Sequence, residues 1–170
     1  MRRVSILVVL IVVLAGSLVF SRLAPGTIAQ EATPAAGEIA VEVLGHGLPQ
    51  AAPGFELSLY RATFEPGAVL PPHTHPGASV VYVEAGTMAF TSLEGEAWLI
   101  RAGTTAAPAA QGELLVPDTE VTLSAGDALF LPDEHGDAAH NAGEDPLVVL
   151  LANLHTEGEP FVTLMATPAP

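Results

Sequence analysis

The chain has 170 residues, no cysteine and a formal net charge of −14. All nineteen acidic residues follow position 30, where only two of the five basic residues remain, so residues 30–170 carry 2 − 19 = −17. This charge argues against nucleic acids and anionic lipid surfaces as partners, because binding phosphates needs clustered lysine and arginine. Without disulfides, the fold must be held by packing, or by packing and a metal.

Residues 1–29 are typical of an export signal peptide. Met1-Arg2-Arg3 precedes an apolar run over Val4–Phe20, and small residues follow at Thr27-Ile28-Ala29. This order of basic, apolar and small residues is that of a cleavable signal. The run approaches the roughly twenty residues of a spanning helix, so an uncleaved membrane anchor is the alternative. We therefore expect a secreted or extracytoplasmic protein, or a membrane-anchored one if the signal is not removed.

The rest of the chain is predicted to form one β domain between two low-complexity segments. Residues 30–38 are predicted to be a linker and residues 166–170 a flexible tail, because both are rich in alanine and proline without hydrophobic period. Across residues 39–165, short alternating or continuous apolar segments are separated by glycine and proline, with no sustained helical pattern. Roughly ten short strands of this kind predict an all-β barrel or sandwich.

Particular segments carry more detailed expectations. The longest apolar run of this region, Leu147–Leu154, is predicted to be a central strand. Strands at 88–91 and 97–101 are predicted to form a hairpin around Glu94-Gly95, a turn-forming pair. The larger aromatic residues are expected to pack the barrel. They are Phe64, Tyr82, Phe90, Trp98 and Phe130.

Two strand–turn–strand segments hold the candidate site. The first, PGAVLPPHTHPGASVVYVEAG at 66–86, contains His73 and His75, and the second, GDALFLPDEHGDAAHN at 126–141, contains further possible metal ligands. Residues i and i+2 of a strand point to the same face, so both imidazoles can reach one cation. The second segment could supply a third ligand from another strand.

These two segments resemble the two motifs of the cupin family of small β-barrels. The first motif, G-x5-H-x-H-x3/4-E-x6-G, is matched by Gly67, His73, His75 and Gly86, and the second, G-x5-P-x-G-x2-H-x3-N, by Gly126, Pro132 and Asn141. The resemblance implies a single jelly-roll barrel over about 39–165. It also implies a divalent metal such as Fe, Mn or Zn, a small organic ligand inside the barrel, and a homodimer that pairs through edge strands.

The chain departs from the motifs at positions that matter for metal binding. Ser79 stands where the family has its glutamate ligand, Glu134 replaces the second-motif glycine, and Asp137 replaces the third histidine. Ser79 is expected to be a pocket-lining hydroxyl, because a neutral serine is a poor metal ligand.

Three interpretations follow. Asp137 joins His73 and His75 in a two-histidine, one-carboxylate site. Alternatively, His135 or His140 restores a third imidazole; His135 has the parity of Asp137, whereas His140 would need a bulge. In the third interpretation the site has lost its metal and the histidines only line a pocket.

Two classes of function remain open. In the first, the protein is a metal-dependent enzyme, an oxygenase or isomerase acting on a small ligand. In the second, it is a non-enzymatic binding or structural barrel with a degenerate site. Arg61 and Arg101, the only cations after residue 30, could each grip a carboxylate ligand or pair with a nearby acid. The fold alone does not choose between these functions.

Overall fold

Antiparallel strands provide the regular secondary structure of residues 37–104 and 112–166, which are the residues that the computed structural model describes. Within those ranges there is no helix whose length and apolar character would suffice to cross a membrane. The predicted signal segment at 1–29, most of the predicted linker and most of the predicted tail lie outside them. The strands are β1 (Ile39–Gly47), β2 (Phe55–Phe64), β3 (Val69–His75), β4 (Ala78–Ala85), β5 (Thr87–Glu94), β6 (Trp98–Ile100), β7 (Glu113–Leu114), β8 (Glu120–Ser124), β9 (Ala128–Leu131), β10 (His135–Asn141), β11 (Leu147–Thr156) and β12 (Thr163–Leu164).

The strands form two sheets around one apolar core. The larger sheet has the order β1-β2-β11-β4-β9-β6-β7, and the smaller sheet has the order β12-β3-β10-β5-β8. Both sheets contribute to a single cluster of buried side chains, with Phe64 and Leu129 from the larger sheet and Phe90 and Leu123 from the smaller. The predicted all-β fold is confirmed, and it has the two-sheet form of a jelly roll.

The strand β11 lies inside the larger sheet, as its apolar run predicted. It pairs with β2 from Leu147 to Thr156 and with β4 from Val148 to Leu154. Its side chains alternate, so that Leu147 and Val149 are buried while Val148 and Leu150 are only partly covered. The strand β11 is paired on both sides and its outer face is also partly covered. Apolar residues therefore suit both of its faces.

The predicted hairpin around Glu94-Gly95 is wrong. β5 pairs with β8 and β10 in the smaller sheet, whereas β6 pairs with β7 and β9 in the larger one. Gly95 does form a tight turn, with φ of 82°. The chain uses this turn to pass from one sheet to the other, so the turn-forming residues predicted the change of direction but not the partner strand.

The aromatic residues divide between the two faces of the sheets. Phe64 and Phe90 are buried in the core, as predicted. Tyr82 is 41% exposed, so its predicted role in packing the barrel is wrong. Trp98 and Phe130 pack against each other with ring centroids 5.9 Å apart, and both are only partly buried. Strand parity explains the difference, because these three residues alternate with buried neighbours.

The motif glycines hold turns that need a left-handed backbone. Gly67, Gly86 and Gly126 have φ of 79°, 81° and 94°. Glu134, which stands at the fourth glycine position, keeps the same conformation with φ of 59°. Its backbone N–H donates to the carbonyl of His75 at 2.9 Å, which ties this turn to the end of β3. The backbone therefore keeps a left-handed conformation at a position where the side chain makes it costly.

Candidate metal centre

Two opposed pairs of residues on β3 and β10 form the centre. His73 lies directly across from Asp137, and His75 lies directly across from His135. Opposed residues of antiparallel strands are near neighbours on the same face. All four side chains are buried, with exposures of 1% for His73, 2% for His75, 1% for His135 and 2% for Asp137.

A β-bulge at Pro71-Pro72 sets the direction of the histidines. Between the pairs His73–Asp137 and Leu70–Ala139, β3 advances three residues while β10 advances two. This extra residue lets Leu70 and His73 share the inner face although an odd number of positions separates them. Proline lacks a backbone N–H and cannot donate to a ladder, so a bulge is a suitable place for two of them in succession.

The same bulge orients the His73 ring. Its Nδ1 lies 2.9 Å from the carbonyl oxygen of Pro71. Since a carbonyl can only accept, Nδ1 carries the proton and donates, which leaves Nε2 with a free lone pair. Metal-binding histidines are commonly fixed in this way by a carbonyl on the ring nitrogen that faces away from the metal.

The three predicted ligands converge. His73 Nε2 lies 3.1 Å from His75 Nε2 and 3.3 Å from Asp137 Oδ1, while His75 Nε2 lies 3.1 Å from Asp137 Oδ2. Two donor atoms bound to one cation at about 2.0–2.2 Å lie roughly 2.8–3.1 Å apart in octahedral geometry and roughly 3.3–3.6 Å apart in tetrahedral geometry. Within the described residues, these three side chains are the group of histidines and acids whose ligand atoms are close enough to hold a metal ion.

Burial favours the neutral form of two imidazoles, those of His73 and His135. Desolvation lowers the pKa of His73 and outweighs the opposing effect of the Asp137 carboxylate. Desolvation likewise lowers the pKa of His135, again against the influence of Asp137. A neutral ring offers a lone pair to a cation, whereas a protonated ring does not.

The centre also gathers polar atoms without hydrogen-bond partners. Among the described residues, the buried side-chain atoms that lack a partner are His75 Nδ1, Ser92 Oγ, Asp137 Oδ2 and both ring nitrogens of His135. Four of the five belong to the opposed pairs, and Ser92 on β5 lies across from Asp137. Buried polar groups are nearly always satisfied, so their concentration at one place indicates a site for a ligand, an ion or ordered water.

His135 and His140, the alternative third ligands, take different positions. His135 Nε2 is 3.9 Å from Asp137 Oδ2, and its ring stacks on Phe90 with centroids 6.1 Å apart. His140 points away from the centre, where its partly exposed ring lies 3.9 Å from a Glu120 carboxylate oxygen. His135 is therefore a neighbour of the cluster, whereas His140 is not part of it.

Ser79, at the family's glutamate position, has no contact with the cluster. Its hydroxyl is buried and donates to Asn153 Oδ1 at 3.2 Å. It also does not line the cavity described below, so its predicted role as a pocket-lining hydroxyl is wrong. The buried Asn153 amide satisfies the serine instead, and β4 and β11 place the two residues directly opposite each other.

Ser92 was not identifiable from the sequence. It belongs to neither motif, and its strand was recognised only in part. A bulge on β5 places it across from Asp137, because β10 advances one residue there while β5 advances two. Motif spacing along one chain contains no information on such a cross-strand pairing.

An apolar cavity of about 280 Å³ opens beside the cluster. Among the described residues, His73, His75 and Asp137 contribute its only polar side chains, and the other fourteen lining residues are aliphatic, aromatic or methionine. Phe64, Met88 and Phe90 lie on its walls, and Phe161, which stacks on Tyr60 at 4.5 Å, lies near the end of the chain. Ligand sites are typically apolar concavities with a few convergent polar groups.

Comparisons with known proteins agree with this geometry. A family profile described as "Cupin domain" matches residues 60–107, which include His73 and His75 but end before Asp137. No curated protein matches the chain.

Solved structures show a similar fold at low sequence identity. The DMSP lyase DddQ from Ruegeria pomeroyi DSS-3 aligns with a TM-score of 0.50 and 18% identity over 78% of this chain and 54% of that chain. The oxalate decarboxylase OxdC from Bacillus subtilis aligns with a TM-score of 0.44 and 21% identity over 64% of this chain and 24% of that one. An oxalate decarboxylase from Lactobacillus farciminis gives 0.44 and 16% over 64% and 26%.

The chain thus spans about half the length of the lyase and about a quarter of the decarboxylases. Identities this low establish likeness of fold and nothing about activity. The match to a cupin-domain profile over residues 60–107 and the similarity to the lyase structure agree with a single jelly-roll barrel.

Proposed function

We propose that the protein is an exported cupin that binds a divalent cation through His73, His75 and Asp137 and a small organic ligand in the adjoining cavity. The single observation that carries the proposal is the meeting of four buried ligand atoms of these three side chains: the two histidine Nε2 atoms lie 3.1 Å apart, and each lies 3.1–3.3 Å from one oxygen of Asp137. One of these atoms, Asp137 Oδ2, has no hydrogen-bond partner, and leaving such an atom buried without a partner costs free energy.

The donor set narrows the choice of cation. Two imidazoles and one carboxylate suit Fe(II), Mn(II) or Zn(II), and they differ from the oxygen-only sites that favour magnesium or calcium. Such a centre, when loaded, supplies Lewis acidity or a place for dioxygen, which are the requirements of isomerisation and oxygenation. We therefore propose a metal-dependent oxygenase or isomerase as the enzymatic function.

The chain's own residues would prepare this site. The Pro71 carbonyl holds the His73 ring so that its Nε2 lone pair faces the cluster. The cavity walls are apolar, so electrostatic interactions beside them are screened less than in bulk water. His135, buried behind Asp137, limits the freedom of the carboxylate by proximity.

A second candidate function is a non-enzymatic binding barrel. The observation that favours it is the loss of the fourth ligand position, where Ser79 is engaged with Asn153 and offers nothing to a cation. In that case His73 and His75 would only support the cavity wall. Removal of either histidine would then change stability without any dependence on metal.

Metal analysis of the whole chain, expressed and recovered in its exported form, tests the first function. We expect close to one equivalent of a first-row divalent metal after loading, and a loss of binding in His73→Ala, because one of three ligands is removed. His140→Ala is the matched control, since that histidine lies on β10, the strand that carries Asp137, but outside the cluster.

Substoichiometric metal in both the unmodified protein and the His140→Ala variant would contradict the metal centre and favour the second function. Equal retention of metal by His73→Ala would contradict the assigned ligands. A screen for dioxygen consumption with the loaded protein then separates oxygenase from isomerase activity.

A further inference from the structure

The charge of the cavity restricts its ligand. Within residues 37–104 and 112–166, Asp137 is the only acidic side chain on its walls, and no arginine lies there. Lysine is absent from the chain. A divalent cation held by one carboxylate would leave a single net positive charge in an apolar enclosure.

The two arginines of the described residues are engaged elsewhere. Arg61 lies 3.3 Å from a Glu84 oxygen and 3.5 Å from a Glu42 oxygen. Arg101 lies 2.9 Å from Asp127 Oδ2, and its NH1 group also donates to the carbonyl of Thr122 at 3.0 Å. Neither side chain reaches the cavity, so neither can neutralise a second negative charge on a bound ligand.

We infer that the ligand is a monoanion with one oxygen-donor head and an uncharged apolar body, an inference that rests on the proposed metal function. The head matches the single positive charge at the centre. The body replaces water against walls that include Leu70, Val81 and Leu131. A dianion would place an unpaired charge in an apolar enclosure, which is strongly unfavourable. The cavity holds a volume equal to roughly nine water molecules, so the ligand is small.

Binding of carboxylates to the Co²⁺-loaded protein, followed by the visible absorption of the metal, tests this inference. The probes are acetate, butanoate and hexanoate as monoanions of increasing length, and butanedioate as a dianion matched to butanoate. We expect the dissociation constant to fall about three- to fourfold for each added methylene until the cavity is filled. Butanedioate should bind at least about tenfold more weakly than butanoate.

A pair of variants on adjacent residues provides the control. Leu151 lines the cavity, whereas its neighbour Leu150 has the opposite parity and lies on the outer face. Leu151→Arg should strengthen butanedioate binding relative to butanoate, and Leu150→Arg should leave the ratio unchanged. If Leu151→Arg fails to fold, the binding of the carboxylate series to the unmodified protein still tests the ligand inference.

The outcomes separate the two proposals. If Co²⁺ does not bind, the metal function fails and the ligand inference fails with it. Suppose instead that Co²⁺ binds but butanedioate and butanoate have equal dissociation constants, or that the dissociation constant does not depend on the length of the carboxylate. Then only the ligand inference is overturned. Co²⁺ binding with both trends present supports both proposals.

An independent observation concerns the outer face of the larger sheet. Strand register aligns six outward residues in one row across β2, β11, β4, β9, β6 and β7, and none is charged. The row consists of Leu59, Ala152, Val80, Phe130, Trp98 and Leu114. Leu59, Val80 and Leu114 are 39%, 44% and 53% exposed. We call this set the apolar row.

The geometry points to a second copy of this chain as the occupant of the apolar row. Two copies that each carry −17 over residues 30–170 repel one another, but two such rows can meet without opposing carboxylates. With Leu57 and Tyr82 at the flanking levels, the face measures roughly 24 Å across the strands and 13 Å along them. With its side-chain margins, that footprint approaches the about 800 Å² per partner of a stable interface.

Sedimentation analysis of the exported protein, with Trp98 emission as a second readout, tests the pairing. Trp98 is the chain's single tryptophan, so its emission should shift to shorter wavelength as concentration rises. Val80→Lys should yield a monomer, whereas Val69→Lys, an exposed valine on the other sheet, should leave the dimer intact. A monomeric unmodified protein at about 100 μM, a weak affinity for a dimer, or a dimeric Val80→Lys variant would overturn the proposal.

Discussion

Asp137 is the side chain on which the metal proposal depends most, because it supplies the only carboxylate of the cluster. Its two oxygens face different histidines, Oδ1 toward His73 at 3.3 Å and Oδ2 toward His75 at 3.1 Å. Each oxygen can therefore take part in holding a shared cation, and the carboxylate balances part of its charge. Aspartate at a histidine position retains a ligand and adds a negative charge to the centre.

We predict that Asp137→Asn lowers metal affinity at least about 100-fold while the unfolding free energy of the metal-free protein changes by less than about 1 kcal/mol. The amide has nearly the same shape but carries no charge to attract a cation. Metal titration and urea unfolding measure the two quantities. Asp133→Asn, at an exposed turn nearby, is the control and should behave like the unmodified protein. Unchanged affinity in Asp137→Asn would reject its role as a ligand.

Some of these single-residue positions could be read from the sequence and others could not. Strand parity correctly placed His73 and His75 on one face, and motif spacing brought Asp137 to the opposing strand. Strand parity does not predict that Leu70 shares the face of His73, because the bulge at Pro71-Pro72 adds a residue that an alternating pattern does not reveal. Ser92 was missed because cross-strand register depends on the assembled sheet.

The turn between β9 and β10 carries a strain that can be tested. Glu134 has φ of 59°, a conformation that costs a residue with a side chain about 1–2 kcal/mol. Glycine avoids this cost but loses about 0.5–1 kcal/mol through the greater freedom of its unfolded chain.

Glu134→Gly should therefore raise the unfolding free energy by up to about 1 kcal/mol. Urea unfolding gives the value. Asp133→Gly is the comparison, because Asp133 is not among the described residues with positive φ and should lose about 0.5–1 kcal/mol. A destabilised Glu134→Gly variant would show that the glutamate side chain contributes more than its backbone costs.

The turn between β8 and β9 is held by a buried carboxylate. Asp127 accepts hydrogen bonds from the backbone N–H of Ala102 at 2.8 Å and of Ser124 at 3.0 Å, and it lies 2.9 Å from Arg101. Burial raises the pKa of Asp127, but the hydrogen bonds from Ser124 and Ala102 and the Arg101 charge together lower it below its ordinary value. This carboxylate links the turn to the segment after β6.

The lowered pKa predicts acid sensitivity. The unfolded chain takes up the Asp127 proton near pH 3.8 and the folded chain only at lower pH, so this contribution is present above pH 3.8 and is lost below it. Asp127→Asn should reduce the unfolding free energy by about 1–3 kcal/mol at pH 7 and by much less near pH 2. Urea unfolding at both pH values checks this. Arg101→Ala should have a smaller effect, since that side chain is half exposed.

At the level of strands, the sequence predicted where strands occur better than which strands pair with each other. The continuous apolar run at Leu147–Leu154 identified a strand paired on both sides, because only such a strand tolerates apolar residues on both faces. The turn at Glu94-Gly95 was recognised, but the hairpin drawn from it was wrong. A turn fixes the local direction of the chain, and packing of both sheets decides which strand comes next.

The whole protein with a divalent metal bound should have a higher unfolding free energy than the metal-free protein. A cation that binds only the folded chain, at a hundredfold excess over its dissociation constant, adds about 2.7 kcal/mol to the unfolding free energy. Urea unfolding with metal and with a chelator measures the difference. The increment should persist in His140→Ala and disappear in His73→Ala. Identical curves with and without metal would argue that no cation links β3 to β10.

The overall architecture was the most predictable property of this protein, and the surface proposed here for the association of copies was the least. Short strands between glycine and proline identified a β-barrel, and two motifs identified its type. Pairing was expected through edge strands, whereas the apolar row lies on a sheet face. Only the register of β2, β11 and β4 with their neighbours reveals that outward residues of distant segments form one surface.

The bulge at Pro71-Pro72 determines which side chains of β3 face the core. Deleting one of these prolines would restore regular alternation and turn either Leu70 or the whole His-x-His segment through half a rotation. In the second case the imidazoles would turn away from the core while every nearby residue kept its identity. A one-residue deletion at this bulge would thus take the histidines out of the cluster without any substitution at His73, His75 or Asp137.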